Sequence, residues 1–362
     1  MKRILALLLA LILVAGLVAC GNGGTPPAAN NPPAAPTAPT TDGNTAPVGL
    51  RGNPDDLYIM LVMVSGVEYW VPVYEMFKQA GEQLGVQTMF MGTPEYDVAS
   101  QLAVFEQALV MNPAGIFLHP VNADAFVEPI NRAIDMGIQI VTFAADSPNS
   151  NRRAHITSDN VAEGEFAADT FGELFGGVGQ VAVLENPSQD NHAIRIESFI
   201  ARIESHWPGI ELVGRAVTNQ DTAAAHQHTM AFIQANPDLD GIFMPEASSA
   251  LGAGQAVVES GLDIKVLCVD ISDQVLEFIL DGTIWGALNP DQGMQGYFGM
   301  LMLFLSVHSY LVDPMTDWQH TGINPIGLWV DNGLNLVTAE NAEHFFLNDY
   351  LERRGSTGVA GY

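Results

Sequence analysis

The sequence predicts an α/β protein built from two doubly wound lobes, each around a parallel sheet. Short apolar runs alternate with longer segments of helical periodicity from Leu57 onward, and this alternation restarts after Ser158-Asp159-Asn160. The chain has 362 residues, which is more than one ordinary core holds and suits two lobes. Two successive parallel α/β units imply a cleft between them.

The first half supplies four strands and three helices. Its apolar runs lack the alternation of a half-exposed sheet, which is typical of parallel strands covered on both faces. Pro72 is placed to occupy the first turn of the first helix. We therefore predict strands over Leu57–Ser65, Val86–Met91, Gly115–His119 and Ile138–Phe143, with helices over Pro72–Leu84, Asp97–Met111 and Asp124–Met136.

The second half repeats the rhythm. A helix is expected from the Ser158-Asp159-Asn160 segment to about Phe175, because a polar cap precedes a helical pattern there. The remaining strands are separated by helical segments. We place these strands at Gln180–Glu185, Ile210–Val217, Gly241–Met244, Lys265–Asp270 and Thr283–Leu288.

The composition and charge limit the kinds of partner that the protein can bind. The chain carries 13 Lys and Arg against 41 Asp and Glu, a formal net charge of −28, and 48% of its residues are hydrophobic. Because 13 cations are too few to form a basic surface, a nucleic-acid partner is excluded. The apolar fraction excludes a mostly disordered chain. The acidity is equally explained as an adaptation of the surface to solubility or salt.

The N-terminus has the pattern of an export signal. Lys2 and Arg3 precede an apolar run from Ile4 to Ala19 that is short for a membrane span. Leu17-Val18-Ala19-Cys20 resembles the lipobox of bacterial lipoproteins, which implies cleavage before Cys20 and lipidation of its thiol. An uncleaved N-terminal anchor is the alternative; in both cases the protein is exported, lipid-anchored or membrane-anchored, and faces the periplasm or the cell exterior.

Residues 21–52, after the predicted signal at 1–20, are expected to form a disordered tether. The segment is almost entirely Gly, Asn, Thr, Pro and Ala, and has little apolar surface to bury against its ordering entropy. If Cys20 is acylated, Cys268 has no partner within the chain, and we expect it to be a buried free thiol.

Polar and aromatic residues gather where the predicted strands end. In parallel sheets ligands bind beyond the carboxyl ends of the strands, so these residues are the candidate site. A strand-end acid is often only the cap of the next helix, and one member of an adjacent aromatic pair is often core. The candidates are Tyr69, Trp70, Asp146, Asn191, Arg195, Glu246, Asp270 and Gln292.

This set suits a small neutral polyhydroxylated ligand. Carboxylates accept hydroxyl hydrogens, Arg donates in a fixed fork, and aromatic faces stack on the C–H face of a sugar. We expect no catalysis, no cofactor and no metal. His119 and His192 lie near the same strand ends, and we expect each to be a hydrogen-bonded structural histidine.

Motifs in a fixed order resemble the ribose-binding-like group of periplasmic sugar-binding proteins, the type I solute-binding components of ABC importers. The resemblance covers about Leu57 to Tyr310. It rests on the following segments: Tyr69-Trp70, Val141–Asn160, Arg195 with Phe199, Ile242–Gly252, Val266–Asp270, Asp281-Gly282-Thr283 and Asn289-Pro290-Asp291-Gln292.

The resemblance implies site roles. It implies that Tyr69 and Trp70 sandwich a sugar, and that Arg195, Asp270 and Gln292 are polar contacts. Two positions depart from the family: Glu246 falls where many relatives have Asn, and Ala144 where sugar-binding relatives commonly have Asp, which leaves Asp146 as the candidate there.

The resemblance also implies a three-segment hinge, with crossings near Ser158, Leu288 and residue 320, whose closure traps the ligand. The expected N-terminal lobe is then 53–157 plus 290–318, and the C-terminal lobe is 158–289 plus 319–350. The implied function is capture of a small sugar or polyol by a monomeric lipoprotein and its delivery to an ABC permease.

Other functions were weighed. A ligand-loaded sensor partner that binds an autoinducer-like or nucleoside ligand remains open, as does a sugar hydrolase using Asp146 and Asp270 as paired carboxylates. A dinucleotide enzyme fails because Gly176-Gly177-Val178-Gly179 precedes a strand instead of following one. A sugar-responsive repressor fails because the chain has a lipid signal where a DNA-binding motif would stand.

Overall fold

A computed structural model describes residues 50–308 and 326–347, and it confirms the two-lobed α/β prediction. Each lobe has a six-stranded sheet with helices on both faces. No helix in these residues has the length and apolar character needed to cross a membrane. Cys20, the signal and the tether up to residue 49 lie outside the described residues.

The first lobe has the strand order β11-β5-β4-β3-β1-β2, with all neighbours parallel. Its strands are β1 (Leu57–Val62), β2 (Gln87–Gly92), β3 (Gly115–Leu118), β4 (Gln139–Phe143), β5 (Ala154–Ile156) and β11 (Trp329–Val330). All residues of β3 and β4 are buried. The chain reverses its winding direction between β1 and β3, which opens a crevice beyond their carboxyl ends.

Helices cover both faces of this sheet. They are α1 (Trp70–Leu84), α2 (Val98–Val110), α3 (Val127–Asp135) and α9 (Gln292–Val307). One core cluster packs under α1 and α9 around Phe77, Phe117 and Phe304, and a second packs under α2 and α3 around Phe105 and Phe126. Helix α1 begins at Trp70, two residues before Pro72, and ends at Gly85, whose φ of 72° suits glycine.

The second lobe repeats this topology with the order β12-β10-β9-β8-β6-β7. Its last strand, β12, runs antiparallel to β10. Its strands are β6 (Val178–Glu185), β7 (Gly209–Val217), β8 (Gly241–Met244), β9 (Lys265–Val269), β10 (Gly286–Pro290) and β12 (Leu334–Thr338). Its helices are α4 (Asn160–Leu174), α5 (Asp190–His206), α6 (Thr222–Ala235), α7 (Ala247–Ser260) and α8 (Asp273–Leu280).

The chain passes between the two sheets at residues 157–159, at Asp291 and at residues 331–333. The third position differs from the expected crossing near residue 320 and from the expected lobe range 319–350. Trp329–Val330 pairs with β5 and therefore belongs to the first sheet. A two-residue edge strand is too short to leave a periodic signal in the sequence.

Candidate ligand-binding site

A cavity of about 310 Å³ lies between the lobes, beyond the carboxyl ends of the strands. Its walls come from both lobes, which is where doubly wound folds place their ligands. The first lobe contributes Met63, Val67, Glu68, Tyr69, Trp70, His119 and Ala144. The crossing at 157–159 contributes Thr157 and Ser158. The second lobe contributes Gln189, Asn191, His192, Arg195, Gln220, Glu246, Ala247, Ser248, Leu251, Asp270, Ile271, Ser272 and Gln274.

The cavity brings together six of the eight predicted residues. These are Tyr69, Trp70, Asn191, Arg195, Glu246 and Asp270. Gln292 lies elsewhere: it lines a neighbouring cavity of about 530 Å³, and its Nε2 donates to the backbone oxygen of Ile271 at 3.4 Å.

Asp146 is the second predicted residue that the structure places apart from the other candidates. It does not line the cavity. Its carboxylate forms an ion pair with Arg152 and accepts a hydrogen bond from Thr142 Oγ1 at 2.6 Å. These contacts use its acceptor capacity within the first lobe, and they hold its pKa below the ordinary value although burial raises it.

Arg195 is held by a buried ion pair. Its Nε donates to Glu163, and its Nη1 donates to the backbone oxygen of Pro245 at 2.9 Å. The side chains of Arg195 and Glu163 are 5% and 0% exposed, and Ser158 Oγ donates to the second oxygen of Glu163. The guanidinium is therefore fixed in orientation before any ligand arrives.

Burial lowers the pKa of Arg195, but the carboxylates of Glu163 and Asp270 outweigh burial and raise it above the ordinary value. Arg195 thus stays protonated. The close approach of α4 and α5 supports this geometry: a Cβ at Gly164 would lie 2.2 Å from the backbone oxygen of Arg195. Only glycine fits at that contact.

Glu163 is the functional residue that sequence reasoning missed. It stands in line with Ala167 and Phe171 on the buried face of α4, four residues apart each time. A carboxylate on an otherwise apolar helix stripe needs a buried cation as partner. That pattern is the signal by which it could have been found.

Asp270 follows β9 and is held in a left-handed conformation, with φ of 70°. Its Oδ2 lies 4.0 Å from Arg195 Nη1, and its buried Oδ1 has no hydrogen-bond partner among the described residues. Burial raises its pKa to about 7; Arg195 opposes this shift, and Glu163 and Glu246 add to it. A strained backbone carrying an unpaired carboxylate oxygen is typical of a ligand contact.

Glu246 has two roles. It caps α7, where its carboxylate accepts from the backbone N–H of Ser248 at 2.6 Å and of Ser249 at 3.2 Å. It also lines the cavity while only 4% exposed. Burial raises its pKa, and the hydrogen bonds from Ser249 and Ser248 partly offset the shift.

The two adjacent aromatic residues, Tyr69 and Trp70, make different contacts. Trp70 is 5% exposed, its Nε1 donates to the backbone oxygens of Met63 and Val64 at 3.1 Å, and its ring meets His119 edge-on at 4.8 Å. Tyr69 Oη donates to Gln295 Oε1 at 3.1 Å. Burial, then the carboxylate of Asp270 in the other lobe, raise the pKa of Tyr69 well above its ordinary value. The cavity thus joins rings of one lobe to charges of the other.

The two histidines also line the cavity. Asn186 Nδ2 donates a hydrogen bond to Nδ1 of His192 at 3.1 Å. His119 is 5% exposed, and its Nδ1 has no hydrogen-bond partner among the described residues. Burial lowers the pKa of His119 to about 4, so its ring is neutral near neutral pH. Within the described residues, no group of three or more His, Cys, Asp or Glu is arranged to hold a metal ion.

The fold and this interlobe cavity define a two-lobed ligand-binding protein. A family model described as the periplasmic binding protein domain matches residues 58–306. The chain belongs to this family, in its ribose-binding-like type I group.

Individual relatives agree with that assignment. The chain is 27% identical over 221 residues to the D-allose-binding periplasmic protein of Escherichia coli, covering 59% of this chain and 71% of the relative. Two solved structures are each 31% identical. The arabinose-binding protein AraP of Geobacillus stearothermophilus has a TM-score of 0.75 (81% of this chain, 100% of that one), and a sugar-binding protein of a Bacillus halodurans ABC transporter has 0.76 (80% and 100%).

Proposed function

We propose that the protein captures a small sugar or polyol in the interlobe cavity and delivers it to an ABC importer. The observation that carries this proposal is the convergence of Arg195 and Asp270 from one lobe with Tyr69 and Trp70 from the other around one cavity. Relatives described as binding D-allose and arabinose support a ligand of this class.

The division of contacts between lobes explains how binding drives closure. A ligand seated on Arg195 and Asp270 gains contacts with Tyr69 and Trp70 only when the lobes approach. The ligand therefore binds the closed form more tightly than the open form and shifts the population toward closure by that difference. No bond is made or broken in this process.

Titration calorimetry against a panel of pentoses, hexoses and polyols tests the proposal. Asp270→Ala and Arg195→Ala are expected to weaken binding by about 2–4 kcal/mol, because each leaves a buried polar partner alone. Arg215→Ala is the matched control, since Arg215 is an ion-paired but 42% exposed arginine of the same lobe. Unchanged binding in both site variants, with both folded, contradicts the proposed site.

A sugar hydrolase receives less support. Of the two carboxylates considered for it, Asp146 is engaged by Arg152 outside the cavity. Incubation with aryl glycosides checks the point: turnover that Asp270→Asn abolishes would replace capture by catalysis as the function.

We also propose export and lipid anchoring at Cys20, on the sequence pattern of residues 1–20. Expression of the full chain in a bacterial host should place it in the membrane fraction with a lipidated N-terminal cysteine in its mass spectrum. Cys20→Ala should release the protein from that fraction. Membrane retention of Cys20→Ala without lipid would instead indicate an uncleaved anchor.

A further inference from the structure

We propose that the cavity selects a sugar or polyol that carries a protonated amino group over the same ligand without one. This inference rests on the proposed function and specifies its ligand chemistry. It replaces the neutral ligand expected from the sequence, and it follows from the excess of carboxylates over cations at the cavity and from the unpaired carboxylate oxygen of Asp270.

The charge imbalance begins with the ion pair behind the cavity. Arg195 is the single Lys or Arg among the described residues that line the cavity, and Glu163 already neutralises it. Asp270 and Glu246 remain as carboxylates on the same wall. The N-terminus of α7 compensates Glu246 through its backbone N–H groups, but Asp270 has only the shared guanidinium at 4.0 Å.

In the part of the chain that the structure describes, one residue of each lobe on the cavity wall has a buried polar atom without a hydrogen-bond partner. Asp270 Oδ1 and His119 Nδ1 are buried and have no hydrogen-bond partner among the described residues. His119 is 5% exposed, so water satisfies little of this need. A carboxylate oxygen only accepts hydrogen bonds, so Asp270 Oδ1 lacks a donor; none of the donors on the cavity wall among the described residues, such as Asn191 and Gln274, bonds to it.

An ammonium group supplies what is missing. It brings one positive charge and three N–H donors with no acceptor, whereas a hydroxyl brings one donor and no charge. A charge-assisted hydrogen bond to a desolvated carboxylate is about twice as strong as a neutral one. An amino sugar therefore gains more from Asp270 than its parent sugar does.

The protonation of Asp270 gives this preference a measurable signature. Because the pKa of Asp270 is raised to about 7, its carboxyl is partly protonated near neutral pH before a ligand binds. An ammonium ligand that pairs with the carboxylate displaces that proton to solvent, so charge is conserved. A neutral ligand that accepts a hydrogen bond from the protonated carboxyl leaves the proton on Asp270.

The test compares matched ligands by titration calorimetry near pH 7. D-glucosamine, D-galactosamine and D-mannosamine are set against D-glucose, D-galactose and D-mannose, and D-glucamine against D-sorbitol. In the preferred stereochemical series the amine should bind at least about tenfold more tightly. Titrations in buffers of different ionisation enthalpy should show proton release for the amine and none for its parent.

The outcomes separate the two proposals. Parent sugars that bind as tightly as their amines would overturn the amine preference and leave sugar capture standing. Failure of these parents and amines to bind, together with the pentoses, hexoses and polyols of the first panel, would overturn sugar capture and the amine preference with it.

Two variants test whether the amine preference depends on Asp270. Asp270→Asn keeps the shape of the side chain and removes its charge, so it should reduce the amine preference to about twofold or less and abolish proton release. Asp238→Asn is the matched control, because Asp238 is an exposed aspartate of the same lobe that does not line the cavity, and it should keep the preference. A full preference in a folded Asp270→Asn variant would contradict the inference.

Discussion

The two lobes share one topology but deliver different chemistry to the cavity from equivalent positions. Ala144 follows β4 with φ of 55°, and its N–H donates to a backbone oxygen of the neighbouring strand, Ile156. Asp270 follows β9 with φ of 70°, and its N–H donates in the same way to Leu288. The same strained turn therefore presents a methyl group in one lobe and a carboxylate in the other.

The contrast extends to the other strand ends. The first helix after β1 brings Tyr69 and Trp70, whereas the helix after β6 brings Asn191 and Arg195. The shared topology fixes which positions face the cavity, and the residue types at those positions differ between the lobes. The first lobe offers mainly rings for stacking, and the second offers buried charges for hydrogen bonding.

Loss of the second lobe's ion pair should have the largest effect on stability. Arg195→Ala leaves Glu163 buried without a cation and should lower the free energy of unfolding by about 3–5 kcal/mol. Urea denaturation measures this change. The double variant with Glu163→Gln should recover part of the loss, and Arg215→Ala should change stability by less than about 1 kcal/mol. Equal losses in the single and double variants would show that the arginine acts by packing alone.

Asp270, unlike Ala144 at the equivalent position of the first lobe, should make the free energy of unfolding depend on pH. Burial raises the pKa of Asp270 to about 7, so its folded-state pKa exceeds the unfolded value of 3.8. The stabilisation by its proton is complete below the unfolded pKa and is lost as the pH rises through about 7. Asp270→Asn should therefore become more stable than wild type as the pH rises from about 4 to 8, by about 2–4 kcal/mol at the upper end.

Thermal unfolding of the ligand-free protein across that pH range measures the difference. A constant difference between the variant and the wild type at all pH values would show that Asp270 does not titrate in this window.

Gly164→Ala tests the helix contact that positions Arg195. The added methyl collides with the backbone of Arg195 and should cost about 1–3 kcal/mol of stability while weakening ligand binding. Gly66→Ala is the matched control, since nothing lies within 4 Å of a Cβ there. Calorimetry with the preferred ligand reads the effect on binding, and unaltered binding and stability would mean that α4 and α5 adjust freely.

Ala144→Gly should have the smallest effect. Glycine relieves the strain of a positive φ but increases the entropy of the unfolded chain, so stability should change by less than about 1 kcal/mol. Ligand affinity should stay near the wild-type value, in contrast to Asp270→Gly. A large loss of affinity in Ala144→Gly would show that the first lobe's turn contacts the ligand through its methyl group.

Sequence reasoning succeeded where a local pattern carried the signal. Nine of the twelve strands in the described residues appeared as apolar runs, whereas β5, β11 and β12 were not predicted. The ends of the predicted runs pointed to Arg195 and Asp270 because parallel strands share one functional edge. It did not predict the ion pair of Asp146 with Arg152, because Arg152 lies six residues away on a loop whose path no periodicity reveals.

The sequence by itself determined the order of the nine central strands and the helices between them, the doubly wound class and the strand ends that could bear a site. It could do so because burial on both faces of a parallel sheet constrains every residue of a strand. Only the tertiary structure decided that Glu163 holds Arg195, that Trp329–Val330 joins the first sheet, and that Asp270 keeps an oxygen unpaired. Those outcomes depend on which distant groups approach one another, and a charge in the interior takes its properties from its neighbours in space.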